Sequence, residues 1–114
     1  MELADFLIKL KHQPDKIEFN DTMVMIDNNY HFTPTAFNNG NIKNQANQNN
    51  GSCKIFAFGL LHQLSEQQTL ACFGAYYRDD VLKNPSGDDH QNIRHFINTG
   101  WNNITFSGKP LNIR

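Results

Sequence analysis

The sequence predicts an α+β fold that is predominantly helical, with four to five helices and a small two-stranded antiparallel β element. Three observations carry this. Apolar residues recur at i, i+3, i+4 and i+7 in several separate stretches, the stripe of helices that bury one face. Only two stretches, 31–37 and 103–106, read as extended or alternating. The chain has 114 residues, with no internal repeat and no linker, so a single domain spanning 1–114 is expected.

Leu3, Phe6, Leu7 and Leu10 form the first stripe. Pro14 stops it, because the residue before a proline is pushed out of the α region. The stretch from Ile17 to Tyr30 carries two signals. Its Thr, Val and Ile favour a strand, whereas Met23, Ile26 and Tyr30 share a helical face behind Asp21, a candidate N-cap. The helix is the reading taken. Residues 31–37 read as extended, and Pro34 confines such a strand to a sheet edge. From Asn38 to Ser52 the only charge is Lys43 and the only apolar residues are Ile42 and Ala46. This reads as one long polar loop, of the kind that is functional or disordered, although Asn side chains also serve turns.

Cys53, Phe56, Ala57, Leu60, Leu61 and Leu64 make the strongest helical stripe, which puts Phe58 on the opposite, outer face. Ser65 and Gln68 match a capping box. Behind it Leu70, Phe73, Gly74, Tyr77 and Val81 line one helix that stops near Asn84-Pro85. Asp88 or Asp89 then caps a last helix with Ile93, Phe96 and Ile97 inward and Gly100 as its stop. Residues 103–106 alternate as a strand expected to pair near Phe32 to Phe37, and residues 107–110 turn the chain.

Composition excludes several function classes. The chain is 39% hydrophobic and 18% charged, and Asn and Gln fill the gap. Nine Phe, three Tyr and one Trp supply a core. A net charge of −1 offers no footprint for nucleic acid or for an anionic membrane. No apolar run approaches the roughly 20 residues of a membrane span. The first residues carry acid and no basic start, so no secretory signal is expected. Cys53 and Cys72 therefore read as reduced thiols, at a spacing that fits no zinc pattern.

Candidate chemistry is sparse. Cys53 falls in the first turn of the best helix, where the dipole and free amides lower a thiol pKa. The string Gln48–Cys53 is superficially similar to papain-like proteases, and His90 or His95 would then be the base. The competing reading is a small buried core cysteine. Asp79, Asp80, Asp88, Asp89 and His90 bracket one turn, yet they lack EF-hand spacing. Capping by Asp88 or Asp89, with Asp79 and Asp80 solvated or paired with Arg78, accounts for them better than a metal, so none is expected. His90 and His95 stand about 140° apart on a helix, too far round to share an ion. No phosphate or dinucleotide fingerprint occurs, and no cofactor is expected. Tyr76, Tyr77 and Trp101 are assigned to covering the core. The binding candidates are Asn38, Asn39, Asn47, Asn49 and Asn50, because amides on an exposed loop make adaptable hydrogen bonds.

Two long strings, Phe32–Gly40 (FTPTAFNNG) and the block from Gly51 to Trp101 (GSCKIFAFGLLHQLSEQQTLACFGAYYRDDVLKNPSGDDHQNIRHFINTGW), resemble the HopJ type III effector family. The resemblance covers nearly the whole chain. It implies a relation to a protein that plant-pathogenic bacteria deliver into host cells, with similar proteins in bacteria that attack no known host. It carries over no catalytic residue. The expectation is a non-enzymatic interaction module for an unknown protein partner, monomeric or weakly oligomeric. A cysteine hydrolase using Cys53 is the alternative. The expected location is the bacterial cytoplasm, with type III secretion into a host cell as the other outcome. Residues 2–13 pattern as a helix without Ser, unlike the disordered, Ser-rich leaders of type III secretion.

Overall fold

Helix α1 (Leu3–His12) buries Phe6 and Leu10 and closes where the Gln13 N–H reaches Lys9 O at 2.7 Å. The computed structural model describes residues 2–114. A short 3-10 turn, Pro14–Lys16, leads to α2 (Phe19–Asn29). The helical reading of this stretch holds. Asp21, however, is not the cap: Glu18 is, and the Asp21 carboxylate accepts from the Glu18 N–H at 3.4 Å. This is the reciprocal half of a capping box.

Strand β1 (Tyr30–Phe32) follows at once and pairs antiparallel with the last strand, β5 (Leu111–Ile113). Strand β2 (Phe37–Asn39) pairs antiparallel with both β3 (Ile42–Asn44) and β4 (Ile104–Phe106), giving the order β3-β2-β4. Phe37 stands opposite Phe106, as the sequence led us to expect. The helix-dominated α+β class is therefore correct, while its β part is larger than one pair of strands. The difference arises inside residues 38–52, which are not one loop. They hold the end of β2, a turn at Gly40 (φ 62°), strand β3 and a turn into the next helix. The hairpin was hidden because beside Phe37 its buried positions are Asn39 and Asn44 rather than apolar residues, so no hydrophobic alternation marks it.

Helix α3 (Asn50–Leu61) runs through the centre. Phe56 meets Phe37, Phe73, Phe96 and Trp101, with ring centroids 4.9–6.3 Å apart. On its other side Phe58 meets Phe6 at 5.9 Å and Tyr30 at 6.2 Å. Phe56, Phe58 and Ile55 are all fully buried, while Leu60 and Leu61 are 44% and 49% exposed. The one-faced stripe is thus corrected: neighbours cover the middle of the helix on both sides, and its last turn emerges.

The Ser65–Gln68 capping box starts α4 (Glu66–Ala71), with both reciprocal bonds at 3.0 Å. The expected single helix to Val81 does not form. It breaks at Gly74, whose φ is 60°, and resumes as a π-helical turn, Tyr76–Val81. The reason is steric. A Cβ on Gly74 would stand 2.6 Å from the backbone nitrogen of Phe19, so the entry to α2 needs a glycine there. Gly74→Ala is expected to cost about 1–3 kcal/mol from the backbone conformation alone, more with the clash, as a lowered urea midpoint. An unchanged midpoint would show that the α2 entry yields freely.

Helix α5 (Gln91–Thr99) begins behind His90, itself left-handed (φ 49°), rather than behind Asp88 or Asp89. Those two acids are used otherwise. Asp88 offers its carbonyl to the Gln91 side chain, and the Asp89 carboxylate pairs with Arg94. Arg78 turns to the carbonyls of Pro14 and Ile17, not to Asp79 or Asp80. Ile93 and Phe96 face the core; Ile97 does not, being 42% exposed. Gly100 (φ 60°) ends the helix, and a 3-10 turn, Gly100–Asn103, feeds β4.

Candidate functional site

Five segments meet at one cleft of about 450 Å³: the start of α2, strand β3, the first turn of α3, the π-helical turn and the first turn of α5. Its aromatic wall is built in sequence. Phe19 packs edge-on against Tyr76 at 4.9 Å, and the His90 ring lies tilted on Tyr76 at 5.0 Å. The His90 Nε2 stands 3.0 Å from the Asp80 carboxylate. Ile42, Phe73 and Ile93 complete the apolar lining, and Asn49, Ser52, Gln91 and Asn92 supply polar groups.

The two helix starts that face this cleft share an unusual geometry. Asn49 (φ 56°) and His90 (φ 49°) both precede their helices in the left-handed region, and neither caps with its side chain. The first intrahelical bonds run from Cys53 N–H to Asn49 O (3.0 Å) and from Arg94 N–H to His90 O (3.1 Å). The amides before them have no partner within their helix. Arg94 holds the loop that delivers His90. Its guanidinium donates to Asn84 O at 2.8 Å and to Asp89 O at 2.6 Å. The same guanidinium holds the exposed Asp89 carboxyl below its ordinary range by hydrogen bonding and charge.

Behind the cleft lies a hub of amides. Asn39 Nδ2 donates to Asn92 O (2.9 Å) and to Asn92 Oδ1 (3.2 Å). Asn44 Nδ2 reaches the same Oδ1 at 3.2 Å, and Asn92 Nδ2 returns a bond to Asn44 Oδ1 at 3.0 Å. Asn49 adds a fourth member, donating to Asn44 Oδ1 at 2.7 Å. The hub ties the β2–β3 hairpin to both helix starts.

The structure separates the binding candidates. Asn38, Asn47 and Asn49 are exposed, Asn50 is half-buried and Asn39 is fully buried. Of these, Asn49 lines the cleft and Asn39 supports it from behind. Of the catalytic candidates only His90 reaches the cleft. His95 sits against Gly40 in a shallow groove beside β2 and β4. Cys53 is 1% exposed, with its Sγ 3.5 Å from Thr35 O. Burial pushes its thiol pKa up, the bond to Thr35 offsetting part of this. That is the reverse of helix-start activation, because the side chain turns into the core. Cys72 is pushed up to about 12 by burial. Among the described residues neither histidine hydrogen-bonds to Cys53. Tyr76, expected to cover the core, is instead 42% exposed on the cleft wall. No local pattern marks Phe19, Ser52 or Gln91 as binding residues, since the cleft exists only once distant segments meet.

The family model described as HopJ type III effector protein matches residues 3–111. A crystal structure of a protein of unknown function, VPA0580, is 58% identical with a TM-score of 0.98, covering 100% of this chain and 95% of that one. No curated protein matches the chain. Among the described residues no helix is long and apolar enough to cross a membrane.

Proposed function

This chain belongs to the HopJ type III effector family, and we propose that it works as a non-enzymatic protein-interaction module whose contact face surrounds the cleft. One observation carries this reading: the chemistry gathered at that face consists of aromatic rings and hydrogen-bonding groups, while the thiol that a hydrolase would need is buried elsewhere with a raised pKa. Asn38 and Asn47 stand exposed on the hairpin side, outside the cleft lining, and offer adaptable amides there. A buried thiol stays protonated at neutral pH and is a poor nucleophile. Contact with a protein partner serves equally in the bacterial cytoplasm or, after type III secretion, in a host cell.

The test compares the wild type with Cys53→Ser and Tyr76→Ala as baits in extracts of the native bacterium, each first checked by thermal melting. Cys53→Ser is expected to retain the same partner as wild type, and Tyr76→Ala to lose it. A folded Cys53→Ser variant that lost the biological effect of the protein would overturn the reading in favour of thiol chemistry.

A further inference from the structure

We propose that the cleft is built to hold a planar aromatic ring bearing a hydrogen-bond-accepting substituent. The inference deepens the interaction reading by naming what enters the site. Its volume of about 450 Å³ lies in the range of small-molecule sites and has room for a substituted ring. Tyr76 is 42% exposed although two rings pack against it, Phe19 edge-on and His90 tilted. Exposed aromatic surface held in place is a preorganised stacking wall, and rings pair best with rings in such offset or edge-on geometries. The wall depends on a small residue. A Cβ at Gly51 would stand 2.8 Å from Phe19 Cζ, so glycine at this position lets the Phe19 ring close against the first turn of α3.

The same space is bordered by polar groups. Ser52 and residues of both first turns line it, where the Ser52 hydroxyl and the amides without an intrahelical acceptor are the available donors, the Gln91 carboxamide being already bonded to Asp88 O. A ring alone would leave these donors facing apolar surface, whereas a ring with an accepting group satisfies both walls. The ring belongs to a free small molecule or to a side chain of a protein partner, and the chemistry required is the same.

Titration of the full chain with benzoate, cyclohexanecarboxylate and acetate, followed by backbone amide NMR shifts, tests this. Benzoate is expected to move the Ser52, Gln91 and Asn92 amides saturably in the millimolar range. The non-planar acid should bind several-fold more weakly, and acetate should leave those amides still at the same concentrations. Tyr76→Phe keeps the ring and should keep the response, whereas Tyr76→Ala should weaken it roughly five-fold, the size of one lost aromatic pair. N-acetyltyrosine amide, whose phenol oxygen is an accepting substituent, identifies the source in the same series, since tighter binding than benzoate assigns the ring to a protein partner. Acetate matching benzoate, or cleft amides that ignore every probe, overturns the inference. A protein partner captured without any ring response would do so as well, and would leave the interaction-module reading standing.

Discussion

Phe58→Ala is expected to destabilise the protein as much as Phe56→Ala, by about 3–5 kcal/mol each. That is a large part of the roughly 5–15 kcal/mol that holds a domain folded. Both rings are fully buried, and they belong to different layers. Phe56 joins the cluster of Phe37, Phe73 and Phe96, whereas Phe58 joins Phe6, Tyr30 and the His62 ring at 4.5 Å. Neither cavity can collapse easily, because each is lined by other rings locked in contact. Leu61→Ala on the same helix, 49% exposed, is the control and should stay within about 1 kcal/mol of wild type. Urea titration reads all three. A loss at Phe58 close to that at Leu61 would mean that the second layer repacks without cost.

That comparison also shows where local sequence reading succeeds. Where a helix end is set by neighbours in the chain it is legible, as at the Ser65–Gln68 box and the Gly100 stop, and so is the pairing of the Phe37 region with residues 104–106. In α3 the stripe through Cys53, Phe56, Leu60 and Leu61 reads as one face, although Ile55 and Phe58 lie off it. A helix that is apolar nearly all round is a buried helix, and the signal was present in those two residues. Lys54 is the one charge in this helix, and it reaches out to Asp27 at 2.9 Å. The break at Gly74 was not legible, because it is imposed by Phe19, far back in the chain. The candidate site was the least legible part. Of the site candidates Asn49 and His90 meet at the cleft, but the partners that give them a role lie on other elements. An Asn-rich stretch looks alike whether its amides face water or one another.

Asn92→Ala is expected to show which of the two holds, with a loss of about 2–4 kcal/mol, since each buried polar group left unpaired costs roughly 1–3 kcal/mol. Asn92 is 5% exposed. Its side chain accepts from Asn39 and Asn44 and donates to Asn44, so truncation strips partners from two buried amides at once. Asn39 has little to fall back on: its Oδ1 is already buried without a partner, and only its bond to the Asn92 carbonyl survives. The damage should be local as well as global. Hydrogen exchange is expected to quicken first in β2 and β3, because the hub fastens the hairpin to α5 and, through Asn49, to the start of α3. Asn92→Asp tests the direction of the bonds. It keeps an acceptor for Asn39 and Asn44 but places a charge beside Asn44 Oδ1 in a buried site, and should be no better tolerated than Ala. Asn38→Ser and Asn47→Ser change exposed amides and should stay within about 0.5 kcal/mol of wild type. If Asn92→Ala cost no more than those two, the hub would not be holding the hairpin, and the Asn-rich segment would owe its composition to surface recognition alone.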